Sequence, residues 1–177
     1  MKFVPTPLAG VWVIEPERIA DDRGFFARTF CRDEFAARGL QDDFVQCNVS
    51  FNAKRGILRG MHFQAHPYSE VKLVRCTRGA IHDVIIDLRP DSQTYTRWFG
   101  VDLDAENRRQ LYIPQGFAHG FQTLADGSEV FYQMGAMYRD DAGRGVRWND
   151  PAFAIRWPLP DEAVLSTRDA SYPDFGG

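Results

Sequence analysis

The chain has 177 residues, enough for one domain that buries roughly 70% of the surface its unfolded form exposes. Hydrophobic residues make up 44%, charged residues 25% and the formal net charge is -3, which excludes the basic excess of a nucleic-acid binder. No apolar run approaches the roughly 18 residues of a membrane helix, and MKFVPTPLAG lacks the apolar core of a signal peptide.

Strand signals dominate the chain. Residues 11–14 (VWVI) form a short β-rich run, closed by Glu15-Pro16. Residues 24–30 (GFFARTF) form a second, after a polar turn over 20–23. Residues 32–39 (RDEFAARG) have helical composition and end on a glycine suited to a C-cap. Residues 44–51 alternate, with Phe44, Gln46, Asn48 and Ser50 on one face and Val45, Cys47, Val49 and Phe51 on the other. Strands then recur about every ten residues: 57–64, 71–77, 81–88, 97–103, 109–113, 118–124 and 129–138. Pro67, Gly79, Pro90, Pro114-Gln115-Gly116 and Asp126-Gly127 punctuate them. Residues 139–145 (RDDAGRG) read as a loop, and 158–165 as irregular chain with one helical turn. Many short strands at even spacing imply an all-β sandwich or barrel, and eight or more close naturally as a jelly-roll double sheet. One domain over 1–177, with no linker and no repeat, is expected.

Three cysteines, Cys31, Cys47 and Cys76, show no CxxC spacing, so neither a disulfide framework nor a structural zinc site is expected. A reducing cytoplasm is the default compartment.

On the 57–64 strand, alternation places Leu58, Gly60, His62 and Gln64 on one side. On the next, Lys72, Val74 and Cys76 share a side, and on the last Val130, Tyr132 and Met134 do. Reactive groups set among apolar ones are what a barrel with a working interior presents; surface groups on mixed faces are the competing reading. Pro114-Gln115-Gly116-Phe117-Ala118-His119 is a PxGxxH pattern, whose tight turn places His119 at a barrel mouth. It is similar to the second motif of the cupin superfamily, small β-barrels that often hold a metal. His62, His66 and Glu70 offer further ligand types. However, position 64 is glutamine, where a metal cupin presents a second histidine, and Pro67 puts His66 in a loop. No metal is expected, and His82 reads as structural.

Several segments together carry a more specific signal: D-x-RGFF ending at Phe26, LRG-x-HFQ over 58–64, KLVRC over 72–76, AENRRQL-x-IPQGFAHGF over 105–121, WND over 148–150 and LS-x-x-D over 165–169. In this order and at these distances the chain resembles the dTDP-4-dehydrorhamnose 3,5-epimerases, metal-free cupin-fold enzymes of deoxysugar synthesis, over nearly its whole length. The resemblance implies an isomerase needing no cofactor, and a homodimer in which N-terminal strands are exchanged; the 11–14 run could serve as the exchanged strand. It implies a nucleotide-diphosphate-linked 4-keto-6-deoxy sugar as substrate, with C–H bonds at C3 and C5 acidified by the C4 ketone.

By the same resemblance His62 is the base, Asp169 orients its imidazole, Lys72 stabilises the enolate oxygen and Tyr132 returns a proton from the opposite face. Arg23 and Arg59 match positions that grip the pyrophosphate, where guanidinium groups form paired hydrogen bonds. Gln46 and Asn48 match polar positions near the nucleotide. His119 contacts substrate, Tyr138 stacks on it or hydrogen-bonds it, and Phe26 stacks on the base. Two departures bear on the base. Arg28 stands where the family carries a glutamate, and Cys47 and Val49 replace the Asp and His of FVQDNHS. A guanidinium only donates, whereas a carboxylate accepts from thymine N3–H. A CDP- or GDP-linked sugar, or epimerisation at one carbon only, therefore stays open. So do two readings of other classes: a metal-dependent cupin such as a dioxygenase or isomerase, and a non-catalytic sugar-nucleotide-binding cupin.

Overall fold

The computed structural model describes residues 1–176. In chain order its elements are β1 (Lys2–Pro5), β2 (Trp12–Glu15), β3 (Arg18–Asp21), β4 (Gly24–Ala27), helix α1 (Arg32–Ala36), β5 (Gln46–Asn52), β6 (Leu58–Gln64), β7 (Lys72–Arg78), β8 (Ala80–Asp87), β9 (Trp98–Asp104), β10 (Gln110–Ile113), β11 (Phe117–Thr123), β12 (Ser128–Met134), β13 (Gly143–Gly145) and helix α2 (Thr167–Ala170). A six-stranded sheet runs β1-β2-β10-β7-β12-β5 and a five-stranded sheet runs β13-β6-β11-β8-β9. Among the described residues every strand pairing within the two sheets is antiparallel. This is the all-β double sheet expected from the strand spacing, with the cupin-like form that the resemblance implies.

Three apolar clusters hold the layers. Between the sheets lie Val74, Ile81, Ile85, Leu111, Phe121 and Val130, all buried. Outside the five-stranded sheet, Leu58, Met61, Val84 and Ile86 are covered by Val146, Phe153 and Trp157 from the C-terminal segment. A third cluster sits under α1. That helix has five residues and no side-chain cap, too short to persist alone. Its anchor is Phe35, fully buried and met edge-on by Phe3, Phe30, Phe44 and Tyr112. Phe35→Ala would open a cavity costing about 3–5 kcal/mol.

The strands differ from expectation in instructive places. Residues 20–23 are not simply a turn: β3 and β4 form a separate two-stranded hairpin, with Asp21 opposite Gly24. β4 ends at Ala27, short of the expected Phe30. The 139–145 loop contains a turn of 3-10 helix and then β13, which pairs Gly145 with His62. Residues 11–14, the run expected to be available for exchange, lie largely in β2, which pairs with β1 and β10 within the chain.

The faces need one correction. Leu58 does not share a face with His62: Leu58 and Met61 both pack in the outer cluster, while His62 and Gln64 line the interior. Gly60, at φ +134°, lets the alternation flip there; a Cβ on it would fall 2.6 Å from Gly120 Cα. On β5 the apolar face lies outside the core: Val49 and Phe51, with Val45 just ahead of the strand, are each more than half exposed.

Candidate active site

A cavity of about 420 Å³ opens between the two sheets. The close approach of Gly60 and Gly120 sets its floor, and brings His62 on β6 opposite His119 on β11. From the facing sheet come Lys72 on β7, Tyr132 on β12 and Asn48 on β5.

Asp169 arrives from far along the chain. Ser166 caps the four-residue helix α2, its Oγ accepting from the Asp169 N–H at 3.1 Å. The helix docks on β6 and turns the carboxylate inward, where Oδ1 lies 2.6 Å from His62 Nε2. The Gly60 N–H donates to Oδ2 at 3.3 Å. Burial alone would raise the Asp169 carboxyl, but its bond with His62, the charge that ring carries when protonated, the Gly60 N–H and the Ser166 hydroxyl together hold it below the usual carboxylate value. A carboxylate can only accept, so His62 Nε2 carries a proton toward Asp169 and Nδ1 is the nitrogen left open.

Lys72 is buried on the other sheet. Its Nζ lies 3.0 Å from Glu70 Oε1 and donates to the His62 carbonyl at 3.2 Å. Tyr132 is on that sheet too, and burial pushes its phenol far above the usual value, so it carries its proton at neutral pH. Its ring centroid is 6.1 Å from that of His119. His119 Nε2 lies 2.8 Å from Asp83 Oδ1, a second histidine–carboxylate pair, wholly buried. Among the described residues no three His, Cys, Asp or Glu side chains converge as metal ligands.

Arg59 enters the cavity with its Nε donating to the buried Asn52 at 2.7 Å. Tyr138 stands at the rim, its hydroxyl donating to Asp140 at 3.0 Å. Gln46 does not touch the cavity but shapes it: its amide donates to Asn48 and its carbonyl accepts from the Tyr138 N–H. Eight of the twelve expected site residues thus line one cavity: His62, Asp169, Tyr132, Lys72, Asn48, Arg59, His119 and Tyr138.

Arg23, Phe26 and Arg28 do not. Arg23 pairs with Asp21 in the hairpin turn, Phe26 is 71% exposed on β4, and Arg28 pairs with Glu34. Three charged residues that line or back the cavity were not anticipated, Asp83, Arg144 and Arg168; Glu70, noted above only as a ligand type for a metal, lines it as well. Asp83 had a signal, since an acid inside the apolar run IHDVII must find a partner. Arg168 sits inside LS-x-x-D, beside the aspartate.

The arrangement suits proton transfer. A base with one open nitrogen faces, across the cavity, a protonated phenol and a buried ammonium. Cationic Arg59, Arg144 and Arg168 at the mouth suit a phosphorylated ligand.

Comparison with known proteins agrees. A family model described as dTDP-4-dehydrorhamnose 3,5-epimerase matches residues 5–176. The dTDP-4-dehydrorhamnose 3,5-epimerase of Methanothermobacter thermautotrophicus is 44% identical over 173 residues, covering 97% of this chain and 92% of that protein. The crystal structure of dTDP-4-dehydrorhamnose 3,5-epimerase from Bacillus anthracis, with TDP and PPi bound, superposes with a TM-score of 0.94 at 42% identity, covering 98% of each chain. That of dTDP-6-deoxy-D-glucose-3,5-epimerase from Legionella pneumophila, in complex with dTDP-4-keto-L-rhamnose, gives 0.91 at 37% identity, covering 97% and 90%. The motif segments stand in order along the chain, and these solved structures repeat its fold almost end to end, so this chain belongs to the dTDP-4-dehydrorhamnose 3,5-epimerase family.

Proposed function

We propose that the chain epimerises a dTDP-linked 4-dehydro-6-deoxyglucose at C3 and C5 by removing protons alpha to the C4 ketone. His62 Nδ1 takes the proton, and Asp169 holds the ring's tautomer and stabilises its charged form. The Lys72 ammonium meets the negative charge that develops on the C4 oxygen. The hydroxyl of Tyr132 returns a proton to the other face of the carbanion, which inverts the centre. The carrying observation is the placement of His62 and Tyr132 on opposite sheets of one cavity, with Lys72 on the second sheet. Arg59, Arg144 and Arg168 receive the diphosphate.

The test is incubation with dTDP-, CDP- and GDP-linked 4-keto-6-deoxy sugars in heavy water, followed by NMR. The reading expects deuterium at both C3 and C5 of the thymidine-linked sugar. Exchange at one carbon, or faster exchange with another nucleotide, would replace that substrate by the alternatives Arg28 and Cys47 keep open.

We also propose that the working form is a homodimer in the cytoplasm. Ile19, Phe26, Val45, Val49 and Phe51 are exposed, an apolar burden that a second copy would cover. Edge strand β5 carries two of them, with Val45 just ahead of it, and Arg23, Phe26 and Arg28 lie outside their own chain's cavity. A second copy would let that hairpin close the cavity of its neighbour. The three cysteines are free, as a reducing compartment allows. No helix among the described residues is long and apolar enough to cross a membrane. Light scattering should give twice the chain mass; a clean monomer with full activity would remove the dimer.

A further inference from the structure

Glu70 lines the cavity just ahead of β7 and is 7% exposed. Glutamate is almost never buried so fully without partners. Its Oε1 has one, the Lys72 ammonium at 3.0 Å. Its Oε2 is buried and meets no hydrogen-bond donor of the protein. The nearby polar groups are already engaged. The Gln64 amide donates to the Tyr68 and Met137 carbonyls, and its carbonyl accepts from the Arg139 N–H. Lys72 spends a second proton on the His62 carbonyl. A carboxylate oxygen left in this state calls for a donor from the ligand.

Chemistry narrows which donor that is. If Lys72 meets the ketone oxygen, Glu70 reaches the groups beside that ketone. C5 carries a methyl group and the ring oxygen, neither of which donates. C3 carries a hydroxyl, which does. We propose that Glu70 is a specificity-determining residue, whose Oε2 accepts a hydrogen bond from the C3 hydroxyl of the sugar while Oε1 holds Lys72 at the ketone. This rests on the epimerase reading above. A site built to bond a substrate hydroxyl discriminates strongly against an analogue lacking it, because its own polar group is then stranded.

The test crosses two variants with two sugars. Wild type, E70Q and E70L are each given the dTDP-linked 4-keto-6-deoxy sugar and its 3-deoxy counterpart, and kcat/KM for C5–H exchange in heavy water is measured by NMR. Damage transmitted through Lys72 affects both sugars alike and cancels in the ratio. E70L should lose about tenfold or more on the hydroxylated sugar relative to its loss on the 3-deoxy sugar, the worth of a hydrogen bond to a charged group. E70Q keeps the side-chain volume, so it carries the comparison if E70L fails to fold; it should move the ratio the same way by about threefold. Equal losses on both sugars would reduce Glu70 to a counter-ion of Lys72 and overturn the proposal. Wild type that exchanges C5–H on neither sugar would instead overturn the epimerase reading itself.

Discussion

The cavity contains two histidine–carboxylate pairs of different construction. The His62 side chain is 42% exposed, and its aspartate comes from a helix 107 residues later. His119 is 5% exposed, and Asp83 lies on the adjacent strand, β8. One pair leaves a ring nitrogen open to a ligand; the other is sealed between strands. The chemical type is the same in both; access and the origin of the partner differ.

The largest effect that sharpens this contrast is at the open pair. His62→Ala should slow exchange at both C3 and C5 by about a hundred- to ten-thousandfold, the usual worth of a positioned base. NMR in heavy water reads it, and near-normal exchange would remove His62 from the role. Asp169→Asn keeps the shape but removes the charge, and should cost about ten- to a hundredfold in kcat, as expected for a lost charged hydrogen bond. A loss in KM alone would contradict an orienting role.

The sealed pair should break differently. His119→Ala leaves both Asp83 oxygens without a protein partner, since Oδ2 already has none. That should cost about 1–3 kcal/mol or more of stability. Thermal melts should therefore show a larger drop in Tm for His119→Ala than for His62→Ala. The reverse order would erase the distinction.

The open pair can also be read by pH. Asp169 has a folded value below its ordinary 3.8, so the folded state binds fewer protons than the unfolded one in that range. Its stabilisation is present above the ordinary value and is lost as pH falls through the depressed one. The stability advantage of wild type over Asp169→Asn in urea should shrink between pH 5 and about pH 2. A constant advantage would mean that the carboxylate is not held charged by its partners. The smallest effect expected lies outside the cavity. Arg28→Glu should raise use of a thymidine-linked sugar over a cytidine-linked one by about tenfold if the hairpin reaches a base, because cytosine N3 repels a carboxylate.

Much of the fold was readable from turn residues and strand spacing, because Pro, Gly and Asp-Gly interrupt an otherwise regular β pattern. The missing strands have physical reasons. β13 is Gly-Arg-Gly, which carries no β propensity; it is a strand only because the edge of β6 offers a partner. The flip at Gly60 breaks the period of two, so counting alternate residues put Leu58 on the wrong side. His62, Lys72 and Tyr132 were legible through family segments. Asp83 was hidden among Val84, Ile85 and Ile86, and Glu70, in a stretch between strands, was legible only as a ligand type. Helix α2 has four residues, too few for a helical period, so its role as the carrier of Asp169 was invisible in periodicity and came from LS-x-x-D alone.

The position of α2 has a consequence for the order in which the cavity is assembled. Among the described residues every strand ends by Gly145, so the ribosome delivers both sheets, with His62, Lys72, His119 and Tyr132, before it delivers Asp169. A chain cleaved between Gly145 and Thr167 retains those strands and the cationic Arg59, but loses the carboxylate that meets the imidazole. The wall of the cavity and the His62–Asp169 pair are thus separable by a single cut.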